Sequence, residues 1–225
     1  FENEDEMIST VVSAMQDEKV VGWFQGRMEF GPRALGRRSI IGDARSESMQ
    51  KVMNLKIKFR ESFRPFAPTV LIDDVDEYFD MRPGEDSPYM LLVADVKEDK
   101  RLDGATEEIA RAKGLDKLYV KRSGIQAITH VDFSARVQTI DPVRNPTYYK
   151  LHQAWKEATG CPVLINTSFN VRGEPIVCEP AHAYRCFMGT NMDVLVLGNL
   201  VMHKPDQPGA GEIDNEDYLA QFALD

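Results

Sequence analysis

Cys161-Pro162-Val163-Leu164-Ile165-Asn166-Thr167-Ser168-Phe169-Asn170-Val171-Arg172-Gly173 is the stretch whose reading decides the fold. Residues 162–165 form a short apolar run bounded by turn-forming residues, the pattern of a buried strand. Residues 166–175 then read as a polar turn. Just upstream, residues 145–159 read as a helix stopped by Gly160, and downstream residues 180–188 read as another. A strand flanked by helices is the unit of α/β folds, and the turn after such a strand is where open α/β sheets place ligands. Asn, Ser and Gly also build turns for backbone reasons alone, so at this point both readings stand.

Working outward, Met7, Ile8, Val11, Val12 and Met15 recur at helical spacing, which predicts an amphipathic helix over about residues 5–18 followed by a strand at 20–24. Residues 46–59 suit a helix with Ser46 as N-cap, and Pro65 and Pro68 bracket an extended segment reaching Ile72. A short helix is expected at 74–79 and a strand at 89–96. Residues 97–122 turn polar and read as a solvated insertion or linker. Residues 126–131 and 136–140 alternate like paired strands around a turn at 132–135. Residues 193–197 and 200–203 read as a last strand pair, and the acidic tail, 205–225, is expected to pack only in part. The sum is a mixed α/β sheet in one domain over 1–204.

Composition narrows the function classes. With 43% apolar and 28% charged residues the 225-residue chain can bury a core, and its longest apolar runs fall far short of the about 18 residues needed to span a bilayer. It opens without Met or a signal pattern, so no export is encoded and a longer parent chain is expected. Cys161, Cys178 and Cys186 match no zinc or redox spacing. A reducing cytoplasm is the expected location.

A net charge of −9 argues against a general binder of nucleic acid or anionic membranes. The distribution says more. Arg27 to Arg64 holds ten Lys/Arg against four acids, so that segment is +6 while the remainder is −15. Within it, Gly26-Arg27-Met28-Glu29-Phe30-Gly31-Pro32-Arg33-Ala34-Leu35-Gly36-Arg37-Arg38 combines three glycines, a proline and four arginines. That is a shaped cationic loop. Guanidinium forks pair bidentately with phosphate or carboxylate while glycines let backbone N–H groups approach, so an anionic ligand is expected. Any single arginine here is equally read as pairing with a surface acid.

Lys58-Phe59-Arg60-Glu61-Ser62-Phe63-Arg64-Pro65 is a second cationic group. A helix continued to Arg60 puts Lys56 and Arg60 on one face and Lys58 on another. Pro65 excludes Arg64 from helical geometry, freeing its side chain to reach a pocket. Glu61 neutralising Lys58 or Arg64 is the plainer alternative. No Gly-x-Gly-x-x-Gly or P-loop occurs, and His130, His152, His182 and His203 are scattered without His-Glu-x-x-His, so no metal site is expected. His130, two residues before Asp132, is the one histidine whose pKa a neighbouring carboxylate is placed to raise.

Three ordered motifs, Gly22 to Gly36, Lys58-x-Arg60-Glu61-x-Phe63-Arg64-Pro65-Phe66-Ala67-Pro68, and Asn166-Thr167-Ser168-Phe169-Asn170, resemble the C-terminal domain of the carbamoyltransferases that include nodulation-factor and antibiotic O-carbamoyltransferases. The resemblance covers about residues 20–204. It implies a YrdC-like fold, a twisted open sheet of parallel and antiparallel strands flanked by helices, with a cationic face for ATP and Mg2+. It further implies that carbamoyl phosphate and ATP become carbamoyladenylate with release of phosphate and pyrophosphate. A separate N-terminal actin-like, iron-bearing domain would then carry the carbamoyl group to an acceptor hydroxyl.

By the same resemblance, Lys58 and Arg64 hold carbamoyl phosphate and the triphosphate, Arg33 reaches a phosphate or the domain boundary, and Arg136 contacts nucleotide phosphates. Asn166 and Ser168 orient the reacting group, with Arg60, Asn170 and Arg172 in supporting places. The stretch 97–122 matches none of these motifs. Two other readings stay open: a YrdC-type adenylate-forming enzyme using threonine and bicarbonate, and a nucleic-acid-binding or binding-only module.

Overall fold

The computed structural model describes residues 1–210 and 215–222. Seven strands form one twisted sheet in the order β6-β3-β7-β2-β1-β8-β9. In chain order these are β1 (Val21–Phe24), β2 (Arg38–Asp43), β3 (Ala67–Leu71), then β4 (Val93–Asp95) and β5 (Ser134–Arg136) of a separate two-stranded ribbon, β6 (Gln138–Ile140), β7 (Val163–Ser168), β8 (Val194–Leu197) and β9 (Leu200–His203). The β3/β6 and β1/β8 pairs are parallel and the other neighbours antiparallel. The sheet is mixed, as the sequence predicts.

Alternation along each strand sends side chains to two helical layers. Val21, Trp23, Ile41 and Leu164 meet helices α1 (Glu4–Gln16) and, further along the chain, α5 (Pro146–Thr159). Ile40, Val163 and Ile165 meet α2 (Met49–Met53) and α6 (Pro180–Met188) on the opposite face. Because both faces are covered, β1 and β2 are buried along their whole length. Fully buried side chains such as Trp155 and Phe187 each contribute about 2–3 kcal/mol of apolar transfer. The expected helices at 145–159 and 180–188 and the terminal strand pair are present.

Several expectations are corrected. The central strand β2 had no counterpart in the sequence reading, because Ile40-Ile41 is flanked by Arg38 and by Gly42-Asp43 and looks too short and too charged for a core strand. Arg38 is nonetheless only 4% exposed. Its guanidinium stacks 3.4 Å from the Phe24 ring centroid and donates to the carbonyls of Gln25, Gly26 and Arg37, which replaces the lost hydration.

The helix expected over 46–59 exists but changes pitch. After α2 the turns widen to a π-helix over Asn54–Lys58, and Phe59 closes it in the left-handed region at φ 48°. Arg60 therefore lies outside the helix and does not share a face with Lys56, whereas Lys58 turns inward to 4% exposure. The N-cap position is Ser48 rather than the expected Ser46, whose hydroxyl still accepts from the Met49 N–H at 3.2 Å.

The paired strands expected at 126–140 are not paired with each other. Residues Gln126–Ile128 form a 3-10 turn, β5 joins β4, and the buried Val137 marks where the chain crosses to the main sheet as β6. The expected strand at 89–96 shrinks to β4, since Met90 adopts φ 55° and leaves the ladder. In the turn, Asp132 accepts from the Ser134 N–H and hydroxyl. Burial lowers the His130 pKa, outweighing Asp132, so the expected rise does not occur.

Residues 97–122 hold helix α4 (Ala105–Arg111) among 3-10 turns. The stretch is mostly exposed but tied down at its end: Arg122 is 2% exposed and donates to the carbonyls of Thr129, Val120 and Leu118. Helices α3 (Val75–Tyr78) and α7 (Asn215–Ala220) complete the chain. Of the acidic tail expected at 205–225, residues 211–214 and 223–225 lie outside the described residues.

Candidate functional site

The strand β7 runs on through Ser168, past the expected end at Ile165. Asn166 is paired on both sides, with Ile41 of β2 and Ala67 of β3, and Ser168 pairs with Ser39. The first three residues of the expected turn are thus the far end of a central strand, held by ladder hydrogen bonds on a rigid element, and the turn itself follows over 169–175. Positions 166 and 168, two apart, fall on one face of the strand.

That strand end opens into a cleft of about 180 Å3 lined by Arg33, Arg60, Arg136, Asn166, Thr167 and Ser168. Residues separated by more than a hundred positions in the chain meet there. Arg33 arrives on the glycine-rich loop before β2, Arg60 on the left-handed exit from the π-helix, and Arg136 from β5 where the chain leaves the small ribbon.

The loop carrying Arg33 is shaped by an acid. One Glu29 carboxylate oxygen accepts the N–H groups of both Leu35 and Arg37 at 2.7 Å. Asn166 ties the same loop to the sheet, donating to the Ala34 carbonyl at 2.9 Å and to the side-chain oxygen of Gln138 at 2.6 Å. Gln138 in turn donates to the Leu35 carbonyl. Sequence reading missed both Gln138 and Glu29, since a single Gln on a β-edge or Glu in a loop carries no pattern.

Charge in the cleft is one-sided. Among the described residues, Arg33, Arg60 and Arg136 form no ion pair, and the cleft lining contains no carboxylate. Arg60 donates to the Asn54 side-chain oxygen at 2.6 Å and lies 4.9 Å from the Phe66 ring centroid. Burial, then Arg64, push its pKa down to about 10. The Arg136 value is lowered by burial and then by Arg33, and its Nε is buried without a partner. Three guanidinium groups with no carboxylate among them, that of Arg136 depressed by burial and Arg33 and that of Arg60 by burial and Arg64, are set to receive an anion.

Lys58 does not line the cleft. Its ammonium is enclosed by oxygens, donating to the carbonyl of Ser168 and, at 2.8 Å each, to the carbonyl and side-chain oxygen of Asn170. Burial pushes its pKa down to about 7, with Arg60 adding to the effect. Three acceptors match the three protons of the charged form. Ser168 Oγ donates to Asn170 Oδ1 at 2.7 Å, so Lys58, Ser168 and Asn170 form one hydrogen-bonded corner at the cleft's edge.

Arg64 and Arg172 are exposed. The Arg64 side chain stays at the rim, 54% exposed and 3.9 Å from Glu61, rather than reaching into the cleft. Of the histidines, His152 is a core residue: it is fully buried beside the Pro162 carbonyl, and burial pushes its pKa down to about 4. No group of three or more His, Cys, Asp or Glu is placed to hold a metal among the described residues, and no described helix is long and apolar enough to cross a membrane.

Comparison with known proteins fits this geometry. The chain is 54% identical over 225 residues to an uncharacterized protein of Synechocystis, covering all of this chain and 36% of that one. It is 39% identical over 205 residues to nodulation protein NolO of Bradyrhizobium diazoefficiens, covering 91% of this chain and 34% of the relative. A 3'-hydroxymethylcephem-O-carbamoyltransferase of Streptomyces clavuligerus is 32% identical over 187 residues, with 83% and 31% covered. The chain spans about a third of the length of these relatives.

Among solved structures, P. abyssi Sua5 complexed with L-threonine superposes with a TM-score of 0.57 at 15% identity, covering 87% of this chain and 47% of that one. Full-length HypF in its phosphate- and nucleotide-bound form gives 0.53 at 17% identity, covering 84% and 20%. These show the fold, the YrdC-like mixed sheet expected from the motifs. The family described as Carbamoyltransferase C-terminus matches residues 12–204, and the chain belongs to it.

Proposed function

We propose that this chain is the carbamoyladenylate-forming domain of an O-carbamoyltransferase, acting on carbamoyl phosphate and ATP. The observation that carries the reading is the convergence of Arg33, Arg60 and Arg136 on one cleft without a neutralising acid. Both substrates bring phosphate groups, and their combined negative charge is what such a cleft lacks.

In this reading carbamoyl phosphate gives up its phosphate to water, leaving carbamate. A carbamate oxygen attacks the α-phosphorus of ATP in line, forming carbamoyladenylate while pyrophosphate leaves. No protein nucleophile is needed. The work falls to fixed cations that hold the phosphates and meet the charge developing on the leaving oxygen. Arg60 and Arg136 hold the triphosphate, and Arg33 closes over it on its stapled loop. Thr167 and Ser168 offer hydroxyls to the reacting end, and Asn166 sets the distance between loop and strand.

Lys58 contributes charge at short range and fixes Ser168 and Asn170, while Arg64 and Arg172 draw anions toward the rim. With no carboxylate in its lining, the cleft suits phosphate oxygens better than a resident cation, so Mg2+ belongs with the nucleotide as it enters. Transfer to the acceptor hydroxyl, and the iron-bearing actin-like domain that would perform it, lie in the remainder of a full-length protein. The two-thirds of each relative's length beyond the matched region leaves room for such a domain.

Titration of the chain with Mg-ATP tests the binding half of this reading. Wild type is expected to bind, and Arg60→Ala or Arg136→Ala to weaken binding about 10- to 100-fold, the value of one charge-assisted contact to phosphate. Absence of binding by wild type, or variants that bind equally well, contradicts it.

A further inference from the structure

The chain continues past residue 204, where the family match ends, and the described part of that extension returns to the loop that follows β7. Helix α7 buries Tyr218 to 3% exposure. Two glycines make room for it. A Cβ at Gly189, after α6, would overlap the Tyr218 ring, and a Cβ at Gly173, which sits at φ +83°, would overlap the Phe222 carbonyl. Any side chain at either place pushes the extension away.

From Tyr218 a continuous set of hydrogen bonds leads to the cleft. Its hydroxyl donates to Glu174 Oε1 at 2.5 Å. The other carboxylate oxygen accepts the Val171 N–H at 2.8 Å, and the Glu174 carbonyl accepts Asn170 Nδ2 at 2.7 Å. Asn170 Oδ1 then receives Lys58 and Ser168, and Ser168 lines the cleft. Glu174 is 9% exposed, and the phenol and the Val171 amide each hold one of its carboxylate oxygens, with the buried Cys186 thiol beside it. Burial and this carboxylate raise the Tyr218 pKa, keeping the hydroxyl a donor.

We infer that the carboxy-terminal helix is a strap across the ligand loop, and that Tyr218 is a positioning residue that fixes Asn170 and Ser168 through Glu174. The strap itself is read from geometry alone, and its effect on nucleotide rests on the function proposed above. Tyr218→Phe tests it, because the ring still fills the space over Gly189 and only the donor is lost.

In Tyr218→Phe the Val171 amide is expected to exchange with solvent about tenfold faster, while amides of β7 such as Leu164 are unchanged. The affinity for Mg-ATP should fall about five- to tenfold with a thermal midpoint within about 4 °C of wild type. In an Asn170→Ala background the same change should cost no further affinity, which a general loss of stability would not reproduce. Unchanged exchange at Val171 overturns the strap, and faster exchange with full affinity overturns the positioning role. Should wild type itself fail to bind Mg-ATP, the functional reading falls, and exchange at Val171 alone decides the strap.

Discussion

The Lys58 ammonium reaches Asn170 twice, donating to its backbone carbonyl and to its side-chain oxygen at 2.8 Å each. A residue of the π-turn is thereby fastened to the loop that follows the central strand, across 112 positions of sequence. The cleft's geometry depends on this joint. Asn170 also accepts Ser168 Oγ, so moving Lys58 moves a cleft hydroxyl.

Burial changes what removing Lys58 does to the fold. Lys58→Ala takes the donor from the Asn170 carbonyl and one of two donors from the Ser168 carbonyl and from Asn170 Oδ1, each a loss of about 1 kcal/mol or more. The variant is expected to lose about 2–4 kcal/mol in stability, seen as a midpoint lowered by about 4–15 °C. Arg64→Ala, at an exposed rim position, should stay within about 0.5 kcal/mol of wild type. Equal stabilities for the two variants in a thermal melt would contradict the buried joint.

The cleft arginines should show the opposite pattern. Arg33 adds to burial in lowering the Arg136 pKa, with no acid lining the cleft, so Arg136→Met relieves like-charge repulsion in the free protein. Its midpoint without ligand is expected to equal or exceed that of wild type. Pyrophosphate, which stabilises whichever state binds it, should raise the midpoint of wild type and leave Arg136→Met unmoved. A variant that melts early yet keeps the pyrophosphate shift would show Arg136 to be structural.

Acidity supplies a third check, with signs that differ for stability and binding. The Lys58 pKa lies at about 7 in the folded chain against an ordinary 10.5. Between those values the unfolded chain holds the extra proton, so this residue's contribution to stability improves as pH rises from 7 toward 10.5, and its charging penalty is fully present below pH 7. An anion in the cleft favours charged Lys58. Affinity for Mg-ATP should therefore be flat below pH 7 and fall above it by up to about tenfold per pH unit. Lys58→Met should flatten this slope, and a profile unchanged by that substitution would remove Lys58 from the account.

Glu29 gives a fourth. Its carboxylate caps two amides of the loop that carries Arg33. Glu29→Ala is expected to speed exchange at Leu35 and Arg37 and to weaken Mg-ATP binding severalfold, with a midpoint drop of at most about 6 °C. Intact affinity in a chain with faster-exchanging loop amides would mean that Arg33 needs no such staple.

Much of this was legible before the fold was known, and the failures have physical causes. Periodicity found α1 because it buries one apolar stripe, Gly160 marked the end of α5, and Arg33, Arg60, Arg136, Asn166 and Ser168 do meet in one cleft. Helix pitch was not legible: nothing in Asn54–Lys58 announces a π-turn, yet that turn is what buries Lys58 and frees Arg60. The strand β2 was hidden because Arg38 looks like a surface residue until Phe24 and three carbonyls are seen around it. Of the turn expected at 166–175, residues 169–175 do leave the sheet, but residues 166–168 belong to β7, because polar residues in a central strand are kept there by pairing with β2 and β3, which only the folded sheet displays. The Tyr218 contact escaped for the same reason, joining segments 44 residues apart.

The central claim is most directly tested by following pyrophosphate release from Mg-ATP by this chain and by a full-length member of the family, with and without carbamoyl phosphate, beside an Arg60→Ala control. Release that appears only when carbamoyl phosphate is present, and that Arg60→Ala abolishes, is the predicted result. Release indifferent to carbamoyl phosphate in both proteins, or switched on instead by threonine with bicarbonate, would contradict it.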